Sequence, residues 1–195
     1  MRKEEKTVDR LKFHWATPSR WKDLEKLFGE RGACGGCWCM VWRLSSKDWQ
    51  AGKGAANKRA LQRLVSKGER PGVLAYLGKE AIAWCAIAPR SEYSYLARSR
   101  VLRAIDDEPV WSISCLFVLK PYRRQGVSVA LLQAAVELAK KRGAKIVEAY
   151  PSLPKMEKIP DTFVWTGVPS AFKKAGFSEA ARHSPTRPIM RRRSD

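Results

Sequence analysis

Residues 111–128 read WSISCLFVLKPYRRQGVS, and they carry the strongest structural pattern of the chain. Its first half alternates with period two, which is the spacing of side chains along a β-strand. One predicted face consists of Trp111, Ile113, Cys115, Phe117 and Leu119. The opposite face is also apolar, because it carries Leu116 and Val118. A strand that is apolar on both faces belongs inside a sheet, so the stretch predicts a central strand.

The turn after this strand carries two arginines and a glycine ahead of a long helical pattern, predicted for residues 127–142. A helix start exposes unpaired N–H groups and the positive end of a dipole, and it therefore binds phosphate. Gly126 lets the backbone approach an anion, while Arg123 and Arg124 add charge-assisted contacts. The alternative interpretation is an ordinary basic turn that contains a glycine.

The segments on either side alternate between strand-like and helix-like patterns, which indicates an α/β or α+β sheet. Further strands are predicted at 11–15, 72–77, 81–88 and 145–150, and further helices at 17–28, 55–67 and 169–175. Residues 89–109 are predicted to be loop or short helix, and a last strand is expected ahead of the arginine run 191–193.

The turn and its surroundings resemble the GNAT superfamily of acetyl-CoA-dependent N-acetyltransferases. The superfamily signature, Gln/Arg-x-x-Gly-x-Gly/Ala, reads Arg123-x-x-Gly126-x-Ser128 here, with serine in place of glycine or alanine. Residues 145–148 match the next strand, and residues 171–177 match a helix that ends in Gly-Phe. The resemblance implies a mixed, mainly antiparallel central sheet flanked by helices, an α+β (α/β) fold.

The resemblance also implies an activity, which is transfer of an acetyl group from acetyl-CoA to an amine of a small molecule or a protein. Direct attack by the amine needs a backbone N–H that polarises the thioester carbonyl and a base or water chain that takes the amine proton. It also needs an acid or solvent that protonates the leaving thiolate. The residues that match the superfamily's cofactor site are Leu116, Phe117, Val118, Arg123, Arg124, Gln125, Gly126, Val127, Ser128 and Phe172.

The same resemblance indicates the catalytic groups. Glu148 matches a position on the following strand where some members carry a catalytic glutamate, so it is the predicted base; the alternative is a structural carboxylate paired with a lysine or arginine. Phe172 stands where the superfamily commonly has a tyrosine, and phenylalanine has no proton to give. Tyr150 or a water is then the predicted acid, unless the thiolate leaves unassisted.

A Cys-rich segment at 33–53 is the most individual feature of the chain. Cys34, Cys37 and Cys39 are three soft ligands, but a closed zinc site needs a fourth, and no metal is expected. The other interpretations are a substrate-facing loop walled by Trp38 and Trp42, or reduced cysteines packed as small hydrophobic residues.

The remaining tryptophans raise the question of a substrate cage, since aromatic faces attract cations. Core packing is the favoured interpretation for Trp84 and Trp111, which lie in predicted strands. Trp165 lies in the loop before the Gly-Phe helix, where several members of the superfamily bind cofactor or substrate, and it is predicted as a third substrate-binding tryptophan.

The composition limits the class of protein. A length of 195 residues with 45% apolar residues predicts one globular domain over 1–195, ending in a basic tail at 188–195. No apolar run approaches the roughly 20 residues of a membrane span, and the odd number of cysteines does not suggest a secreted disulfide framework, so a cytoplasmic protein without a membrane partner is expected.

The net charge of +19 predicts attraction to anions. The phosphates of CoA fit this charge, and a polycationic acceptor does not. One alternative is a nucleic-acid-binding protein on an inactive acyltransferase fold, although nucleic acid is not the favoured partner. Another is a cysteine-based zinc or redox module. A homodimer is compatible with the sequence.

Overall fold

A single sheet dominates the structure, which is a computed structural model that describes residues 7–153 and 164–194. Its strands are β1 (Leu11–Trp15), β2 (Gly72–Leu77), β3 (Glu80–Pro89), β4 (Trp111–Val118), β5 (Ile146–Ala149), β6 (Ser178–Arg182) and β7 (Pro188–Arg193). They lie in the order β1-β2-β3-β4-β5-β7-β6. Every neighbouring pair is antiparallel except β4 with β5. This mixed, mainly antiparallel sheet confirms the predicted fold class.

Six α-helices flank the sheet within the described ranges. They are α1 (Trp21–Phe28), α2 (Ser46–Ala51), α3 (Ala55–Ser66), α4 (Ser94–Arg98), α5 (Val127–Lys140) and α6 (Pro169–Lys174). The short helix α2 was not predicted, and it begins where the Ser45 hydroxyl accepts a hydrogen bond from the Asp48 N–H at 3.1 Å. No helix of the described residues is long and apolar enough to cross a membrane.

Two cores lie on opposite faces of the sheet. On one face, α5 packs across β1, β2, β3 and β4, and its buried residues are Val127, Leu131, Leu132, Ala135, Val136 and Ala139. On the other face, α1, α3 and the Cys-rich segment cover β2 and β3. Trp84 is fully buried in this second core, as favoured from the sequence.

The central strand β4 departs from the predicted period. Its partner register runs from Ile87 opposite Ile113 directly to Ala86 opposite Cys115, so Ser114 is an extra residue in a β-bulge. Ile113 therefore packs in the α5 core, whereas Cys115 packs in the core on the other face. The prediction of one continuous face from Trp111 to Leu119 is wrong, because a bulge shifts the alternation by one residue.

The prediction of a basic tail at 188–195 is also wrong for residues 188–193, which form β7 between β5 and β6. The arginines of this strand have partners inside the fold. Arg191 donates to Glu148 at 2.7 Å and to Asp106 at 2.6 Å, and Arg192 donates to the Ala175 carbonyl at 2.9 Å. These contacts make the arginine run a structural part of the sheet.

We expect Leu131→Ala to lower the free energy of unfolding by about 2 to 5 kcal/mol, because it opens a cavity between α5 and the sheet. Leu131 is fully buried. Gln133→Ala on the exposed face of the same helix is the matched control, and it should change stability by less than about 0.5 kcal/mol. Urea unfolding at pH 7 measures both; equal losses would contradict the packing described here.

Candidate active site

An open cleft of about 630 Å³ lies beside the second half of β4. The register of β4 with β5 covers Trp111, Ser112 and Ile113, while β4 continues to Val118. Beyond Ile113 the two strands diverge, and residues 164–174 lie across the gap. The edge of β4 therefore faces the cleft where a neighbouring strand would otherwise lie.

The backbone of Leu116 is the polar feature of this edge. Its N–H donates to the carbonyl of Trp165 at 2.6 Å, across the cleft. Leu116 comes two residues after the bulge at Ser114, and bulges of this kind redirect backbone and side-chain groups beside functional sites. The central strand thus presents an amide at the cleft, and a loop carbonyl is its present acceptor.

The turn at residues 123–128 lines one end of the cleft. Gly126 has a φ of 81° and is the N-cap of α5, which has no side-chain cap. The Gly126 carbonyl accepts from the N–H groups of Val129 and Ala130. The N–H groups before them point out of the helix start, where they and the helix dipole favour an anion. A side chain at position 126 would adopt a disfavoured backbone and press on Val8, 3.3 Å from its Cβ.

Among the described residues, three cationic side chains line the cleft. Arg123 and Arg124 lie at the turn, and Lys174 lies on α6 on the facing wall. The Nε of Arg123 also donates to the carbonyl of Val118 at 2.9 Å, which joins the turn to the end of β4. Positive charge from both walls makes the cleft favourable for a polyanionic ligand.

Most residues predicted for the cofactor site lie together on this cleft. Those that line it are Leu116, Phe117, Val118, Arg123, Arg124, Gly126 and Ser128. The other three predicted residues are not among the lining residues, because their side chains have contacts elsewhere. The Gln125 side chain makes hydrogen bonds with Thr7 and with the Pro121 carbonyl. The side chain of Val127, the first residue of α5, is buried, and Phe172 is buried against Phe177. Val127 can still contribute its backbone N–H at the helix start.

Glu148 does not line the cleft, and its side chain is fully buried. Its Oε1 accepts from Arg90 at 3.0 Å, and its Oε2 accepts from Arg191 at 2.7 Å. The structure therefore places the predicted base away from the cleft, because both of its carboxylate oxygens are held by guanidinium groups. The structural alternative, pairing with arginine, describes Glu148.

Tyr150 is buried beside Glu148 and does not line the cleft either. Its hydroxyl donates to Glu148 Oε1 at 2.5 Å and accepts from Arg90 at 2.5 Å, and it lies 2.8 Å from the Ser112 hydroxyl. Burial raises the pKa of Tyr150 well above its ordinary value, and the charge of Glu148 raises it further. The predicted acid therefore also lies away from the cleft, with its hydroxyl bonded to Glu148 and Arg90.

The predicted substrate-binding tryptophans separate into two groups. Trp165 lines the cleft. Trp42 is buried in an aromatic cluster with Tyr93, Tyr95, Tyr150 and Trp165, at ring-centroid distances of 5.3 to 6.4 Å. Trp38 is buried against Trp21 and Phe28. The prediction of Trp38 and Trp42 as walls of the site is therefore wrong: Trp42 supports Trp165 from behind, and Trp38 belongs to the core.

The Cys-rich segment contributes a wall of the cleft, through residues other than the predicted Trp38 and Trp42. Ala33 and the exposed Cys34 line the cleft opposite α6. The other cysteines are not among the lining residues, and no group of three or more His, Cys, Asp or Glu side chains among the described residues could hold a metal ion. Lys174 and Ser170 are further lining residues that local sequence pattern did not mark.

We expect Glu148→Gln to lower the free energy of unfolding by about 3 to 5 kcal/mol, because it leaves two partly buried guanidinium groups without their counter-charge. The matched control is Glu137→Gln, which removes an exposed pair with another β7 arginine, Arg192, and should cost less than about 1 kcal/mol. Urea unfolding compares them. A loss at Glu148 no larger than the control would exclude a structural role for its charge.

Comparison with known proteins gives one family. The model of the Acetyltransferase (GNAT) family matches residues 38–155. Among solved structures, an acetyltransferase of the GNAT family from Listeria monocytogenes has a TM-score of 0.57 at 8% identity, with 94% of this chain and 94% of that chain covered. A GNAT-family acetyltransferase from Streptococcus agalactiae has a TM-score of 0.56 at 13% identity, with 95% and 96% covered.

A third similar structure contains a ligand. The PaiA N-acetyltransferase from Thermoplasma acidophilum, in complex with coenzyme A, has a TM-score of 0.53 at 14% identity, with 94% of this chain and 98% of that chain covered. These identities are low, so the three structures show a shared fold. The search of curated proteins finds no match.

Proposed function

Because the chain belongs to the GNAT family of acetyltransferases, we propose that it transfers an acetyl group from acetyl-CoA to an amine of a small molecule or a protein. The observation that carries the proposal is a single cleft that joins the edge of β4 beyond its pairing with β5 to the start of α5, which has no side-chain cap. A strand edge can form backbone hydrogen bonds with an amide-containing chain, and a helix start binds phosphate. Acetyl-CoA contains both, with the amide-containing pantetheine arm between the thioester and the phosphates.

The proposed cofactor site follows from these two ends. The phosphates lie at the turn 123–128, held by backbone N–H groups at the start of α5 and by Arg124 and Lys174. The pantetheine arm runs along residues 116–118 of β4 and bonds to their backbone. The Leu116 N–H then polarises the thioester carbonyl, after the Trp165 carbonyl has left it.

The proposed reaction is direct transfer. The amine loses its proton to a base or to water, its nitrogen attacks the thioester carbon, and the carbon–sulfur bond breaks to release the thiolate of CoA. The Leu116 N–H stabilises the negative charge that develops on the carbonyl oxygen, since it already points at an oxygen in the cleft. Trp165 forms the aromatic wall beside this point.

The charge of the cleft bears on the acceptor. Arg123, Arg124 and Lys174 attract the CoA phosphates and repel an acceptor that carries several positive charges. We therefore favour an amine whose remaining groups are neutral or anionic, and Trp165 suits an apolar or aromatic part of such an amine.

We expect Ser128→Glu to weaken acetyl-CoA binding by about ten-fold or more, because it adds a negative charge where the phosphates lie. Ser128 is the second residue of α5 and lines the cleft. Gln62→Glu on the exposed face of α3 is the matched control, since it adds the same charge away from the cleft, and its affinity should be unchanged. Isothermal titration calorimetry measures both.

The same titration tests the proposed function. Acetyl-CoA should bind saturably to the unchanged protein at 0.15 M salt, and ATP, which has phosphates but no pantetheine, should bind much more weakly. Equal binding of ATP and acetyl-CoA, or equal affinity of the Ser128→Glu and unchanged proteins, would overturn the proposed site. DNA binding with steep salt dependence and no binding of acetyl-CoA would favour the nucleic-acid alternative.

Direct transfer also makes a prediction about Cys34, the exposed thiol on the cleft wall. We expect Cys34→Ser to keep acetyl transfer within about three-fold of the unchanged protein, because no acyl-enzyme on this thiol is needed. Initial rates with varied acetyl-CoA and amine should give intersecting double-reciprocal lines. A covalent route would instead give parallel lines, an inactive Cys34→Ser variant and a protein heavier by the mass of one acetyl group, about 42 Da. These results together would overturn direct transfer.

A further inference from the structure

Three of the five cysteines form a cluster that the proposed acetyl transfer does not use. The thiol of Cys39 lies 3.3 Å from the thiol of Cys115, on the face of β4 that the Cys-rich segment covers. Cys37 lies two residues before Cys39, and its thiol donates to the Gly32 carbonyl at 3.5 Å. The interaction with the Cys39 thiol is the main cause of the raised pKa of the Cys37 thiol. Cys39 and Cys115 are buried, whereas Cys37 is half-buried. The cluster therefore runs from the surface to the central strand.

The backbone around Cys39 is held in an unusual conformation. Cys39 has a φ of 51°, and its neighbour Trp38 has a φ of 43°, although neither residue is glycine. Such residues are retained where the surrounding structure fixes them, and they cluster at functional positions. Trp38 is locked by close packing, since a Cβ on Gly32 would lie 2.3 Å from the Trp38 Nε1. The locked segment directs the Cys39 thiol at β4.

The two thiols need little movement to form a bond. A disulfide has a sulfur–sulfur distance of about 2.05 Å, so Cys39 and Cys115 must approach each other by about 1.2 Å from their present 3.3 Å. Among the described residues, no group of three or more His, Cys, Asp or Glu side chains could hold a metal ion. Cys85 is also buried, but it packs in the core on the other face of the sheet.

We propose that Cys39 and Cys115 form a reversible disulfide that joins the Cys-rich segment to the central strand, with Cys37 as the thiol through which oxidation enters. Both cysteines of this bond belong to segments that line the cleft. Cys115 precedes Leu116, whose N–H faces the cleft, and the segment that carries Cys39 also carries Ala33 and Cys34 of the cleft wall. Oxidation would thus link the Cys-rich segment, which forms one wall of the cleft, covalently to β4.

The oxidant is a small-molecule disulfide such as glutathione disulfide. The Cys37 thiolate attacks one of its sulfurs and releases one glutathione thiol, and Cys39 then attacks Cys37 and releases the second. Cys115 finally attacks Cys39, so that the Cys39–Cys115 bond forms and Cys37 returns to the thiol. Two protein thiols are oxidised and one small disulfide is reduced to two thiols. The contact with Cys115, and then burial, raise the pKa of the Cys39 thiol, and the pKa of the Cys37 thiol is raised as well. Little thiolate is therefore present at neutral pH, and exchange should be slow.

The test is oxidation of the intact protein with glutathione disulfide, followed by alkylation and peptide mapping without reductant. The expected product is a peptide pair joined through Cys39 and Cys115. Titration of the unfolded protein should fall from the five thiols of the sequence to three, because one disulfide consumes two. Dithiothreitol should restore all five. Since the map reads a covalent bond, its result is independent of acetyl transfer.

Variants locate the bond. Cys39→Ala and Cys115→Ala should each abolish the joined peptide, whereas Cys37→Ala should slow its formation without preventing it. Cys85→Ala, which removes a buried thiol on the other face of the sheet, should leave the joined peptide unchanged. The unchanged protein should also show a higher midpoint of thermal unfolding after oxidation, because the bond restricts the unfolded chain. Five free thiols after oxidation, or glutathione attached to Cys34 as the sole product, would overturn the proposal.

Discussion

Glu148 is a buried carboxylate, and two guanidinium groups hold it, one from Arg90 at the end of β3 and one from Arg191 on β7. Tyr150 adds its hydroxyl and connects the carboxylate to Ser112 on β4. Four strands therefore meet in one network at the end of the sheet where β4 and β5 still pair. The opposite end, where these two strands diverge, can stay open because this end is fixed.

Such a network does not simply add stability. Moving charges out of water costs several kcal/mol for each ion, and a buried pair often contributes no more than an apolar packing of the same volume. The energy of the network depends strongly on the positions of the strands that carry it, since each carboxylate oxygen of Glu148 accepts from a different arginine. We infer that the network fixes the order and register of β5 and β7 beside β4, and the cleft depends on that order.

The local features of the chain could be predicted from its sequence, and the long-range ones could not. The turn at residues 123–126, the long helix after it and the β2–β3 hairpin follow from residues that are neighbours in sequence, and all three elements appear in the structure. The partners of Glu148 lie 58 and 43 residues away in sequence, so no local pattern marked Arg90 or Arg191. The bulge at Ser114 was missed because period two continues on both sides of it.

The position of the cleft followed from one motif, but its second wall did not. The Cys-rich segment reaches the cleft through a loop with unusual backbone angles, which composition does not reveal. The arginine run at residues 191–193 was misassigned for a similar reason, because its sequence is compatible with both a strand and a solvated tail. The acidic residues that pair with these arginines lie on other elements, so the local sequence does not show them.

The hydrogen bond between Leu116 and Trp165 has a thermodynamic consequence. Because the amide already has an acceptor, the ligand-free protein does not bear the cost of an unsatisfied donor at this edge. A ligand carbonyl that takes the Leu116 N–H replaces one hydrogen bond with another and returns the Trp165 carbonyl to water. This contact should therefore contribute little to ground-state affinity. Its effect becomes large only for an oxygen more negative than a peptide carbonyl, and that is the oxygen of an acyl group under attack.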